Sequence, residues 1–239
     1  MNKVKWTGHS PFFPRRDELP VAPHIFEFPL TEEAVIDVAT RGTGRRLTAG
    51  AALRCTSRPE QRLAIESAAP QLNPEFHIVT TWQGGAVVKD VASAANSGVY
   101  FIEKNYMRTM LRRSFPDLPH QIVVEEEIVG TQYEVNGVVI GGKVEFPFYV
   151  LSQEWAGATI SKYDRVPDPG LTSKCRGVAA LVVNAVGLND CPFCVEMRDT
   201  DSGIKVIEIN ARLGEDDNHA AAICDSGDPL SIIEEIAVG

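Results

Sequence analysis

Two extended segments near the C-terminal end constrain this chain most. CPFCVEMR (191–198) leads through the turn DTDSG (199–203) into IKVIEINARLG (204–214). Side chains two apart on a strand share a face, so Glu208, Asn210 and Arg212 point the same way. If the two segments pair as a hairpin, Glu196 joins them. Two carboxylates and an amide oxygen form a hard-oxygen set suited to Mg²⁺, which also takes phosphate oxygens and water. An arginine beside them suits a transferring phosphoryl group. The combination points to ATP chemistry.

The bulk composition is compatible with that reading. A chain of 239 residues with 44% hydrophobic and 8% aromatic residues can bury a sizeable core as one large domain or two small ones. A net charge of −9 argues against nucleic-acid or anionic-membrane partners. No apolar run approaches the roughly 20 residues of a membrane span, and MNKVKWTGHSPFFPRR lacks the apolar core of a signal peptide. A cytoplasmic protein is expected. Five scattered cysteines do not form a secreted disulfide framework. Cys191-x-x-Cys194 lacks a second ligand pair and runs straight into VEMR, so it reads as buried small residues rather than a zinc or redox motif.

Along the chain, residues 1–24 read as a poorly packed arm, HIFEF (24–28) as a strand and TEEAVIDVATR (31–41) as a helix capped by Thr31. GTGRRLTAG (42–50) reads as a loop, without the lysine and hydroxyl residue of a Walker A. PEQRLAIESAAP opens a helix at Pro59, and FHIVTTW (76–82) and AVVKDV (86–91) read as strands. SAANSGVYFIEK (93–104) is expected to be a small-residue loop passing into a helix through NYMRTMLRRSF. Residues 122–150 form a long β region broken at Gly130, Asn136-Gly137 and Gly141-Gly142, with Asn-Gly a hairpin signal. Residues 151–170 read as loop, 171–188 as an amphipathic helix, and Asp228-Pro229 opens the closing helix. Glu215, Asp216, Asp217 and His219 lie in a loop, either solvated or placed to recognise an amine.

The order of these segments closely resembles the ATP-grasp superfamily of carboxylate–amine ligases over about 56–239, EINARLG with its upstream glutamate being the most specific piece. The resemblance implies an α+β fold of two lobes with antiparallel sheets enclosing a nucleotide cleft. The implied division is a short atypical N-terminal segment at 1–55, a first lobe at 56–124 and a second at 125–239. It places the magnesium ligands on Glu196, Glu208 and Asn210 and the catalytic arginine on Arg212. Lys89 and Gly98 take the phosphates, with SAANSGV poorer in glycine than the family's loop. Glu125 and the backbone from Glu126 to Ile128 face the base, and Gln132 stands where an acidic ribose ligand is frequent. Arg58 stands where the family often has an ATP-binding lysine, four residues before Arg62.

The implied activity is ATP- and Mg²⁺-dependent activation of a small carboxylate as an acyl phosphate, for attack by a small amine such as an amino acid. The alternative is a shortened, non-catalytic ATP-grasp module that binds nucleotide or a partner protein. Only some 55 residues precede the match, where such ligases usually carry a pre-ATP-grasp domain of about a hundred residues. The acid, the amine and the oligomeric state are not encoded in any motif.

Overall fold

The computed structural model describes residues 3–8, 10, 13, 25–41, 47–79, 87–89, 99–101, 122–156, 159–214 and 218–238. At its start Lys3–Thr7 (β1) pairs in parallel with Ile25–Pro29 (β2). A poorly packed arm is therefore not what the described part of 1–24 forms. Val4 is buried, and the Trp6 ring meets Phe28 edge-on at 5.5 Å. The Trp6 indole N–H donates to Glu234 at 2.8 Å. The Val-x-Trp alternation was masked by prolines and cations, and its partners lie far along the chain.

Glu32–Arg41 (α1) follows, its Thr31 Oγ1 accepting from Ala34 N at 3.4 Å as the sequence predicts. A second helix, Ala49–Thr56 (α2), begins inside the expected loop. Thr48 Oγ1 caps it by accepting from Ala51 N at 3.2 Å. Gly50 weakens the local helix signal, and burial of Ala51, Ala52 and Cys55 compensates. Arg58–Ala68 (α3) then runs from Pro59 near its first turn into a 3-10 turn at Pro70–Leu72.

Two antiparallel sheets carry the rest. The first has four strands in the order β3-β6-β4-β5, built from Phe76–Val79 (β3), Val87–Lys89 (β4), Val99–Phe101 (β5) and Ile122–Glu125 (β6). Val99–Phe101, expected within a small-residue loop, is thus a strand pairing with β4, and the helix expected through NYMRTMLRRSF lies outside the described residues. The second sheet has six strands: Thr131–Ile140 (β7), Lys143–Glu145 (β8), Leu151–Ala156 (β9), Thr159–Arg165 (β10), Cys191–Thr200 (β11) and Gly203–Asn210 (β12). Their order is β10-β9-β7-β11-β12, with β8 pairing on β7.

Two sequence expectations change here. β7 runs unbroken through Asn136-Gly137, and the chain turns instead at Gly141–Gly142. A Cβ at Gly137 would lie 2.5 Å from the Phe193 ring, so this glycine serves close packing rather than a turn. Within 151–170, expected as loop, β9 and β10 pair antiparallel, held by β9 pairing with β7 at Gln153 to Gln132.

Pro169–Val186 (α4) is capped by Asp168, whose carboxylate accepts from Gly170 N and Leu171 N at 2.7 and 3.2 Å. It covers one face of the six-stranded sheet. Ala179, Val182, Val183 and Val186 pack with Val135, Phe193, Val195, Met197, Val206 and Ile209, joined by residues of α2 and α3. Each such large apolar side chain contributes about 1.5–3 kcal/mol on burial. The opposite face buries Val138, Leu151 and Leu213 against Phe28, Ile223, Leu230 and Ile233. These come from β2, His219–Ile223 (α5) and Pro229–Val238 (α6). Among the described residues no helix is long and apolar enough to cross a membrane.

Candidate active site

Between those apolar contacts, the second face of the six-stranded sheet carries a band of polar side chains. Glu196 lies directly opposite Glu208 on one side and Glu134 on the other, and Cys194 lies opposite Asn210 and Asn136. The β11–β12 hairpin forms as predicted, with one irregularity. Glu196 pairs with Glu208 but Met197 with Val206, so Ile207 is an extra residue immediately before Glu208. The bulge lets Val206 and Ile209 both face the core while Glu208 and Asn210 face the polar band.

Helix α3 stabilises that strand from its open edge. Gln61 pairs like a neighbouring strand, its Nε2 donating to Ile209 O at 2.8 Å and its Oε1 accepting from Ile209 N at 3.2 Å. Arg62 donates to Val206 O at 3.0 Å and to the bulge carbonyl of Ile207 at 2.8 Å. The same guanidinium grips both oxygens of Glu125 at the end of β6. Arg58, one turn earlier, pairs with Glu208 at 2.5 Å. Residues 58, 61 and 62 share a helix face, and together they fix β12 in place and tie it to the first sheet.

The charges are tightly grouped. Arg212 pairs with Glu32 of α1 at 3.3 Å, each side chain 13% exposed. Burial pushes Glu32 above its ordinary range, Arg212 pulling it back and Glu208 pushing it further. Burial, then Glu208 and Glu134, raise the Glu196 carboxyl to about 8 against the pull of Arg58 and Arg212. Burial works against the charge on Arg58, yet Glu208 outweighs it and holds the guanidinium pKa above its usual value.

A second buried network adjoins Glu196. Glu134 accepts from Gln153 at 2.6 Å, from Asn136, and pairs with His219 at the start of α5. Burial would raise Glu134, but His219 and these hydrogen bonds outweigh it and lower its pKa. Asn136 Oδ1 accepts from Gly214 N at 2.9 Å, closing the loop after Arg212 onto β7. A Cβ at Gly214 would lie 2.5 Å from Glu134 and 2.6 Å from His219, so only glycine fits there. His219, expected either to be solvated or to meet an amine, is 1% exposed and a structural partner of Glu134.

The structure brings Glu196, Glu208, Asn210, Arg212 and Arg58 into one cluster. Gln132 adjoins it, donating to Glu196 at 3.0 Å. Glu125, at the end of β6 in the other sheet, and Ile128 are buried, and the Glu126 N–H donates to Glu75 O at 2.9 Å. Lys89 ends β4. Gly98 lies outside the described residues, as do Glu215, Asp216 and Asp217. Sequence reasoning missed Glu32, Gln61, Arg62, Glu134, Gln153 and Arg198. Glu134 and Arg198 had an available signal in their period-two spacing from Gln132 and Glu196, and Arg62 in its spacing of four from Arg58.

The donor set fits a hard cation. Asn210 Oδ1 is buried and has no hydrogen-bond partner among the described residues, beside two facing carboxylates. Glu134, Cys194 and Glu196 also bring one atom each within 4.8 Å of one another. That set is the poorer one, because Glu134 is held by His219 and burial keeps the Cys194 thiol well above its ordinary pKa. All five cysteines are buried and free. Cys191 and Cys194 point to opposite faces of β11, which removes any redox pair.

Neither a protein-family model nor a curated protein matches the sequence. Solved structures do. An L-amino acid ligase from Bacillus licheniformis aligns with TM-score 0.62 at 19% identity, over 79% of this chain and 49% of that one. An N5-carboxyaminoimidazole ribonucleotide synthetase in complex with ADP aligns with TM-score 0.65 at 14% identity, over 81% and 55%. A D-alanine–D-alanine ligase from Bacillus anthracis gives TM-score 0.61 at 14% identity, over 87% and 74%. The chain has the ATP-grasp fold, an α+β architecture with antiparallel sheets. It spans about half the length of the first two of these structures.

Proposed function

We propose that the chain is an ATP- and Mg²⁺-dependent ligase that activates a carboxylate as an acyl phosphate for attack by an amine. One observation carries the reading. Glu196 and Glu208 face each other beside a buried Asn210 oxygen that has no hydrogen-bond partner among the described residues. Arg58 pairs with Glu208, yet burial and Glu208 still raise the Glu196 carboxyl, so without a metal the arrangement costs repulsion and desolvation. Mg²⁺ held by Glu196, Glu208 and Asn210 would supply charge neutralisation for the β- and γ-phosphates.

The remaining roles belong to this chain's own groups. Arg58 and Lys89, with the segment around Gly98, would receive the phosphates. The 125–128 stretch would meet the base, with Glu125 held in place by Arg62. The substrate carboxylate oxygen attacks the γ-phosphorus and ADP departs. The amine then attacks the acyl carbon and phosphate leaves, its departing charge and the tetrahedral oxyanion both facing Arg212. That step requires Arg212 to exchange Glu32 for substrate, a swap between two partners of like charge.

A second reading has its own observation. Arg212 and Arg58 are both ion-paired internally, to Glu32 and Glu208, as expected of a module that binds nucleotide without turning over. Two measurements separate the readings. ATP should raise the unfolding temperature only with Mg²⁺, and the Glu208→Ala/Asn210→Ala double variant should lose that Mg²⁺-dependent part. ADP release over a panel of acids and amines reports turnover. Mg²⁺-dependent ATP binding that survives the double variant defeats the metal assignment, and binding without turnover across the panel favours the second reading.

A further inference from the structure

The ribose position of the nucleotide site is where expectation and geometry part. Gln132 is 4% exposed and its amide is fully used. Its Nε2 donates to Gln153 at 2.7 Å and to Glu196 at 3.0 Å, and its Oε1 accepts twice from Arg198, at 3.2 and 3.0 Å. An amide has two N–H groups and two lone pairs, so Gln132 has nothing left for an incoming hydroxyl.

Arg198 differs in each respect. It sits two residues beyond Glu196 on β11, opposite Gln132, and is half-buried. Besides its two bonds to Gln132, its Nη1 donates to Ile128 O at 2.5 Å, in the stretch assigned to the base. Three of the five N–H groups of a guanidinium are thus committed. The other two have no partner among the described residues, and no carboxylate there forms an ion pair with Arg198. A side chain locked at three points loses little rotamer entropy on meeting a ligand.

Resting on the nucleotide reading above, we infer that Arg198 recognises the ribose hydroxyls and that Gln132 is its positioning residue. The guanidinium donates charge-assisted hydrogen bonds to hydroxyl oxygen. Gln132 sets the plane of the fork and links it to Glu196. The site therefore selects ribonucleotides over deoxyribonucleotides through a residue on the metal strand.

The test measures affinity of the full chain for ATP, 2′-deoxy-ATP and 3′-deoxy-ATP at saturating Mg²⁺. The variants are Arg198→Leu, Arg198→Lys and Gln132→Leu, each checked for folding by thermal unfolding. A charge-assisted bond predicts that the wild type prefers ATP over at least one deoxy analogue by roughly tenfold or more. Arg198→Leu should bind ATP as weakly as that analogue, with the ratio falling to about one. Arg198→Lys and Gln132→Leu should give intermediate ratios. A wild type that does not discriminate, or an Arg198→Leu protein that still does, overturns the inference and leaves nucleotide binding standing. Should Arg198→Leu fail to fold, an unchanged ratio in Arg198→Lys overturns it equally. A wild type that binds no nucleotide overturns the underlying reading instead.

Discussion

The two faces of the six-stranded sheet use the same strands for opposite purposes. On the α4 side, Phe193, Val195, Met197 and Val206 are fully buried among apolar neighbours. On the other side, residues one step along the same strands are Glu134, Cys194, Glu196 and Glu208. Apolar burial is non-directional and can be repacked, whereas buried carboxylates must each find a named partner. The first face therefore packs through apolar side chains, whereas the second sets a band of polar groups within its own apolar core.

Substitutions on each face should separate stability from activity. The largest stability loss is expected from Phe193→Ala, which empties the space between Gly137 and Phe146 and should cost about 3–5 kcal/mol in chemical denaturation. Arg62→Met should approach it, at about 3–5 kcal/mol, because the buried Glu125 loses the guanidinium that grips both its oxygens. A loss below about 1 kcal/mol would show that α3 does not hold β12 through this pair.

Arg212→Ala should reverse the pattern. Turnover should fall about 10²- to 10³-fold with a smaller change in unfolding midpoint than for Arg62→Met, since burial already raises the Glu32 pKa and a proton can replace Arg212 on its carboxylate. Equal losses of stability and turnover would erase the contrast between the faces. Asp168→Ala, at the N-cap of α4, should cost about 1 kcal/mol without altering nucleotide affinity. Leu181→Ser, on the outer side of α4 and 42% exposed, should change stability by less than about 0.5 kcal/mol.

Much of this division was legible in the sequence. Alternation in VEMR and IEINAR gave the hairpin and the shared face of Glu196, Glu208 and Asn210, and the apolar stripe of 171–188 gave α4. Local signals misled where a residue type has two uses. Asn136-Gly137 carries a turn signature, but here the asparagine is consumed by Glu134 and Gly214 and the glycine by Phe193. The β9–β10 pairing was obscured by Pro167 and Pro169, which begin the next element rather than break this one.

The sequence by itself determined which chemistry the β11–β12 hairpin can support, because periodicity two is a property of neighbouring residues. The tertiary structure alone decided what surrounds it. Arg212 meets Glu32 across 180 positions, Ile209 meets Gln61 across 148, and His219 meets Glu134 across 85. No local pattern encodes such pairs. They follow from desolvation: once the strands bury these groups, each one takes the partner that the fold brings within reach.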